Sequence, residues 1–340
     1  MTLSTHNDPT VFLERVTQLA LNALTKWDLD VTEITPIKVR ENAVFRVRLT
    51  DGRKVALRVH RQGYHSDIAL HSEFAWMSAL RNVGVSVPNV LPSRAGHLFE
   101  HAAIAVLDGI WQVDVFEWIQ GRTIGESGAT LQGGVDEVAA QYRTIGSIMA
   151  RMHQQAEAWK RPAGFYRHSW DTAGLTGVQP LWGCFWELAA LTAKQRDLML
   201  HIRAVVEREL TAYGQTPDRY GLIHADLVPE NVMVDGSVVR VIDFDDAGFG
   251  WHLFDIATSL YFLTNDRAYP IARQALLEGY RSERALSDEA IEKLPIFMAA
   301  RATTYLGWVH TRQGTETAQQ LTPFLVELAC ATAEQCLQSV

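Results

Sequence analysis

His224-Ala225-Asp226-Leu227-Val228-Pro229-Glu230-Asn231 leads into Val232–Val234, turns at Asp235-Gly236, returns through Val238–Ile242 and ends in Asp243-Phe244-Asp245-Asp246. Two short apolar runs separated by Asp-Gly read as a β-hairpin. The hairpin carries an aspartate and an asparagine five residues apart on its entry side and a further aspartate on its exit. Phosphoryl transfer needs positioned phosphates, a divalent metal and a carboxylate that orients the attacking hydroxyl. Magnesium accepts a few carboxylate and amide oxygens together with phosphates and waters. Asp226, Asn231 and Asp243 could supply those groups.

Around this strand island the chain reads as helical. Apolar residues recur at helical spacing over Val135–Trp159, Phe185–Tyr213, His252–Phe262, Pro270–Arg281, Asp288–His310 and Thr315–Leu337. The first third reads differently. Asp8-Pro9 opens a helix, with Pro at the first helical position, and Val11–Thr25 continues it. Ala43–Thr50 alternates, with Phe45, Val47 and Leu49 on one face. Asp51-Gly52 signals a turn, and Arg53–His60 returns with Val55, Leu57 and Val59 on the core face. A helix over Ser66–Asn82 precedes a second expected hairpin, His101–Leu107 and Ile110–Ile119 joined at Asp108-Gly109. That makes about five antiparallel strands with one helix inserted after the third. The pattern breaks at Gln120-Gly121, so the sequence divides into 1–118 and 119–340, an α+β fold with a small sheet lobe and a large, mainly helical one.

Composition narrows the function classes. The chain has 340 residues, three cysteines with no CxxC pair, and a formal charge of -8. A disulfide framework and a zinc site lack their markers, and nucleic-acid binding lacks its basic patch. No apolar run reaches the ~18 residues a membrane helix needs, and Met1–Thr10 is polar with no signal-peptide core. The expected location is cytoplasmic, with neither nucleic acid nor membrane as partner. The oligomeric state is left open. No lysine is followed by Ser or Thr, so there is no Walker A loop, and HExxH and G-x-S-x-G are absent as well.

The hairpin segment resembles the aminoglycoside-phosphotransferase and choline-kinase superfamily, relatives of the protein kinases, whose H-x-D-x-x-x-x-N loop precedes an I-D-x-[DE] metal segment. The resemblance implies a bilobal protein-kinase-like fold that binds ATP and Mg2+ in the cleft between its lobes. It makes Asp226 the catalytic base, Asn231 and Asp243 the magnesium ligands, and His224 a brace for the loop. Asp255, in Phe254-Asp255-Ile256-Ala257, matches a structural aspartate at the start of the next helix.

The first lobe supports the resemblance. Kinases place V-A-I-K on the third strand, its Lys on the phosphates and paired with a helix Glu. Here the strand reads Val55-Ala56-Leu57-Arg58, with Ala56 and Arg58 on one face. Arg58 takes the place of the Lys, a planar fork instead of a point charge, and Glu73 on the inserted helix is its expected partner. A glycine-rich phosphate loop is replaced by Arg40–Phe45, where Asn42 is the candidate. Val115–Arg122 resembles the family's hinge, with backbone groups at Glu117 and Trp118 expected against adenine. His153 reads as a core histidine.

For the acceptor the residues say less. Trp170, Trp182 and Trp186 with Glu187 could hold a cationic amine, since aromatic faces attract cations; tryptophans in this pattern also serve simply as core. Asp245 and Asp246 add negative charge beside the metal segment. These features favour a small hydroxylated amine or amino acid as acceptor. No activation segment or A-P-E motif follows Asp243, unlike a regulated protein kinase. A bacterial stress-type Ser/Thr protein kinase and a nucleotide-binding pseudokinase scaffold remain as alternatives.

Overall fold

The computed structural model describes residues 9–39 and 42–339. Asp8, the rest of the polar start, and Arg40-Glu41 of the expected phosphate turn lie outside the described residues. The chain forms two compact units. The first holds the chain up to Arg81 with Val87–Gln120 and Arg161–Tyr166; the second holds Asn82–Ser86, Gly121–Lys160 and the chain from Arg167 on.

In the first unit the elements run α1 (Pro9–Leu24), β1 (Val31–Val39), β2 (Ala43–Leu49), β3 (Lys54–Val59), α2 (Asp67–Asn82), β4 (Phe99–Ile104) and β5 (Leu107–Glu117). The strands make one antiparallel sheet in the order β1-β2-β3-β5-β4. Alternation decides its two faces. Phe45, Val47, Val55, Leu57, Val113 and Val115 join Val16, Leu19 and Ala23 of α1 in a fully buried cluster. The intervening residues Ala56, Arg58, Asp114 and Phe116 lie on the opposite face.

The second hairpin of this sheet turns earlier than its sequence predicts. The tight turn is at Ala105-Val106, with Ile104 paired to Leu107, and the register shifts between Ala102 and Ile104. Asp108-Gly109 lies inside β5 as an irregularity, with Gly109 at φ 82°. The Asp-Gly pair thus marks a positive φ, as its chemistry demands, but at a bulge and not at the chain reversal. The Gln62 side chain donates to the carbonyls of Asp108 at 2.9 Å and Ile110 at 3.4 Å, which the bulge removes from the ladder.

In the second unit follow β6 (Arg122–Thr123), α3 (Val135–Ala158), β7 (Ser169–Trp170), α4 (Thr172–Thr176), α5 (Ala193–Tyr213), β8 (Tyr220–Ile223), β9 (Val232–Asp235), β10 (Val238–Val241), β11 (Gly248–Trp251), α6 (His252–Tyr261), α7 (Tyr269–Glu283), α8 (Asp288–Glu292), α9 (Leu294–Thr311) and α10 (Glu316–Ser339). Two small sheets, β10-β9-β6 and β7-β11-β8, carry the loops of interest. Helices α3 and α7 touch backbone to backbone. A Cβ at Gly146 would lie 2.0 Å from the Leu276 carbonyl oxygen, and one at Gly279 would lie 1.8 Å from that of Arg143.

Two expected helices break where local chemistry opposes them. Phe185–Glu187 is a single 3-10 turn, and α5 starts at Ala193. There Thr192 and Gln195 form a reciprocal capping box that sets a new helix start. The Asp288–His310 stretch parts at Lys293, because Pro295 at the start of α9 has no N–H to continue the α8 ladder. No helix among the described residues is long and apolar enough to cross a membrane.

Candidate active site

The functional side chains form one group in each unit. In the first, Arg58 is 6% exposed and sits between two carboxylates. Its Nη2 lies 2.9 Å from Glu73 Oε1 and 2.7 Å from Asp114 Oδ2, and its Nε reaches Asp114 Oδ1 at 3.2 Å. The expected pair with Glu73 is therefore present. Asp114, directly opposite Arg58 in the β3–β5 register, joins it, and so does His60, whose Nε2 is 2.7 Å from Asp114 Oδ2. The guanidinium also lies over the Phe116 ring at 5.0 Å. Burial alone would raise the Asp114 carboxyl; the Arg58 guanidinium and the contact with His60 hold it below the ordinary value instead. A planar fork can face two carboxylates at once, which a compact ammonium does less well. This accounts for Arg where the resemblance leads one to expect Lys.

Asn42 is buried and its Oδ1 accepts from the Arg61 amide at 3.1 Å, tying the start of β2 to the chain beyond β3. At the end of β5 the Glu117 amide donates to the Asn89 carbonyl at 2.9 Å, which takes that donor away from any adenine role. Beside it the Trp118 ring lies under Lys54 Nζ at 5.8 Å.

In the second unit β8 delivers His224, Ala225 and Asp226. Ala225 has φ 64° and Asp243 has φ 65°, the two non-glycine residues with positive φ among those described. That conformation costs an L-residue on the order of 1 kcal/mol, so the surroundings must hold it. Asp255, in the first turn of α6 and fully buried, does so at Ala225. Its Oδ2 accepts from the His224 amide at 3.0 Å and its Oδ1 from the Ala225 amide at 2.6 Å. His153 Nε2 lies 3.0 Å from the same Oδ2. Burial pushes the Asp255 carboxyl up, against the pull of His224 and of these amides.

His224 links the two arms of the motif. Its Nδ1 accepts from the Asp226 amide at 3.3 Å, which leaves Nε2 to donate to the Ile242 carbonyl at 3.1 Å, just before Asp243. Burial lowers its pKa to about 4, so the ring is a neutral strut. Asn231 spends its amide donor on Asp226, reaching the backbone oxygen at 2.9 Å and Oδ2 at 2.8 Å. That turns its own carbonyl oxygen the other way. Asn231 and Asp243 thus offer a small set of hard oxygen donors. Among the described residues no three His, Cys, Asp or Glu side chains gather as a self-sufficient metal site. A cation here would be completed by phosphates and water, the habit of Mg2+.

Two arginines that the sequence reading overlooked hold this region. Arg167 is buried and donates to the carbonyls of Ala247 at 2.5 Å, Phe244 at 3.2 Å, and Asp245. His168 Nε2 and Trp170 Nε1 take the Asp246 carbonyl at 3.1 and 2.9 Å. The Asp243–Ala247 loop is therefore gripped by its backbone oxygens. Arg301 of α9 is wholly buried, and its Nη2 lies 2.7 Å from Asp226 Oδ1. Away from this loop, Arg203 donates to the Thr176 and Gly177 carbonyls and lies 4.0 Å over the Trp186 ring. That face of Trp186 is occupied by a cation of the protein itself, and Glu187 is exposed. Trp170 and Trp182 are core residues, stacked edge-on at 5.3 Å.

Behind the loop His153 stacks on His252 at 4.3 Å, and burial holds both well below the ordinary histidine value. With His224, three histidines are neutral when folded and bind protons more readily when unfolded. Their stabilising contribution is complete above about pH 6.5 and is lost as pH falls from there. Unfolding below about pH 6.5 is therefore expected to take up protons, each one worth about 1.4 kcal/mol of stability per pH unit. Asp255, raised in the folded state, binds its proton more readily when folded and opposes this slope. Urea unfolding across pH 5–8 measures the slope; a flat profile contradicts the neutral assignment.

The model of the phosphotransferase enzyme family matches residues 33–289. A solved structure of a microcompartment-associated aminopropanol kinase superposes with a TM-score of 0.83 at 33% identity, covering 95% of this chain and 98% of that one. A homoserine kinase from Rhizobium rhizogenes is 29% identical over 260 residues, 70% of this chain and 69% of that protein. Amicoumacin kinase from Bacillus subtilis is 25% identical over 307 residues, 86% and 84% respectively.

Proposed function

From the premise that the chain belongs to the phosphotransferase enzyme family, we propose that its acceptor is a short amino alcohol or hydroxy amino acid. The protein is a kinase with a protein-kinase-like fold, moving the γ-phosphoryl group of ATP to a hydroxyl of a small molecule. The observation that carries the assignment of roles is Asp226. Its carboxylate is held through one oxygen by Asn231 and through the other by Arg301, one hydrogen-bonded ring from Asp243.

In this reading Asp226 accepts the hydrogen bond of the acceptor hydroxyl and takes its proton as the oxygen attacks the γ-phosphorus. The bond to the β-phosphate oxygen breaks in line and ADP leaves. Arg58, oriented by Glu73 and Asp114, faces the α- and β-phosphates. Asn231 and Asp243 would hold a divalent cation such as Mg2+, which when bound would supply positive charge to the transferring group. The amine preference is supported by the relatives named for aminopropanol and homoserine, and by the carboxylates Asp245 and Asp246 beside the metal segment.

ADP release with 1-amino-2-propanol, ethanolamine, choline, homoserine, matched diols, sugars and a generic protein substrate tests the acceptor class. A primary amine one or two carbons from the hydroxyl is expected to raise kcat/KM at least about tenfold over the matched diol, the yield of one well-placed charged contact. Equal turnover of diols, or turnover of the protein alone, removes the proposal.

A further inference from the structure

Arg301 is the one charged residue between Leu294 and Val309 of α9. Its side chain is 0% exposed, whereas that of Asp226 is 20% exposed. One nitrogen makes all of its hydrogen bonds, with Nη2 donating to Asp226 Oδ1 at 2.7 Å and to the Tyr305 hydroxyl at 2.6 Å. Nε and Nη1 are buried with no hydrogen-bond partner among the described residues. Rings surround them instead, with Tyr305 at 4.3 Å, Trp182 at 5.0 Å and Phe254 at 5.6 Å from the guanidinium carbon.

Burying donors without acceptors is unfavourable, and a purely structural post at this place would be better built from an apolar side chain. The aromatic faces make the cation tolerable and leave it a single polar outlet besides Tyr305, the carboxylate of Asp226. Arg301 thus lies behind Asp226, out of reach of any substrate, and holds the oxygen that Asn231 does not. A carboxylate gripped at both oxygens cannot turn about its last bond, and productive geometry for a reacting hydroxyl tolerates little rotation.

We infer that Arg301 is a positioning residue for phosphoryl transfer, locking the orientation of the Asp226 carboxylate from the aromatic cage of Trp182, Phe254 and Tyr305. The inference rests on the reading of Asp226 as the base. Kinetics of Asp226→Asn, Arg301→Met, Arg301→Lys and the double variant Asp226→Asn/Arg301→Met separate the two.

Arg301→Met is expected to lower kcat about 30-fold with KM for ATP within about twofold, the signature of an interaction needed in the transition state. Arg301→Lys, which keeps the charge but loses the fork, should lose only about fivefold. The double variant should be no slower than Asp226→Asn alone, since residues acting as one unit are not additive. Wild-type kcat in Arg301→Met, or a double variant showing the full product of the two single losses, overturns the inference and leaves Asp226 as the base. Wild-type kcat in Asp226→Asn overturns both. If Arg301→Met does not fold, Arg301→Lys decides: a folded variant at wild-type kcat and KM overturns the inference, and a kcat loss at unchanged KM upholds it.

Discussion

Asp226→Ala is expected to lower kcat by about a thousandfold while ATP affinity changes less than about threefold, because removal of a positioned base typically forfeits 10²–10⁴ in rate. The structure explains why binding should survive. The loop backbone is held by Asp255 through the His224 and Ala225 amides, and the His224 ring still reaches the Ile242 carbonyl. None of these contacts uses the Asp226 side chain. Asn231 loses one of its two acceptors but keeps the Asp226 carbonyl. ADP release and calorimetric titration with ATP measure the two quantities. Undiminished turnover would falsify the assignment of Asp226, and loss of ATP binding would mean that its carboxylate shapes the nucleotide site as well.

Asp255→Ala is the substitution with the largest expected effect on stability. It strands two loop amides and one edge of His153 in a site where Asp255 is 0% exposed. Each buried donor without an acceptor costs about 1–3 kcal/mol, so the total is expected near 3–5 kcal/mol. Ala225 then has nothing to keep it at positive φ, and the loop should relax out of its working shape. Activity is lost together with structure: a lower urea midpoint accompanied by a fall in kcat larger than the unfolded fraction explains. Asp255→Asn retains the shape and one acceptor oxygen and should lose roughly half as much, by the same count of donors. A variant as stable as wild type would show that the loop holds itself.

The parts of the site readable from sequence are those written as local spacing. His224, Asp226, Asn231 and Asp243 lie within twenty residues across a hairpin, and their chemistry dictates the intervals. Arg58 and Glu73 came from the likeness of Val55-Ala56-Leu57-Arg58 to the kinase strand and its helix partner, with alternation placing Ala56 and Arg58 on one face. The overlooked residues act across long sequence distances. Asp114 meets Arg58 only through strand register, 56 positions away, and Arg301 meets Asp226 from 75 positions away. Both nonetheless left a trace: an aspartate between Val113 and Val115 in a buried strand, and a lone arginine in an apolar helix. Arg167 left none, because it binds carbonyl oxygens, which any residue supplies.

Secondary structure failed where a strong local signal had a second meaning. Asp-Gly served a bulge in β5 and not the turn, and Thr192 with Gln195 restarted a helix that apolar periodicity alone would have run through. The short strands β8 and β11 escaped notice because four residues carry too little alternation to read, and β11 is Gly-Phe-Gly-Trp.

The pairing of Arg58 with Asp114 has a consequence for kinship. A guanidinium flanked by two carboxylates and a compact ammonium flanked by one are alternative solutions to the same placement problem. Exchange of either partner alone unbalances a buried network that also holds Glu73 and His60. The two strand positions should therefore drift as a couple, arginine with aspartate or lysine with a neutral residue. A branch of relatives could then be sorted by the residue facing that cation on the neighbouring strand.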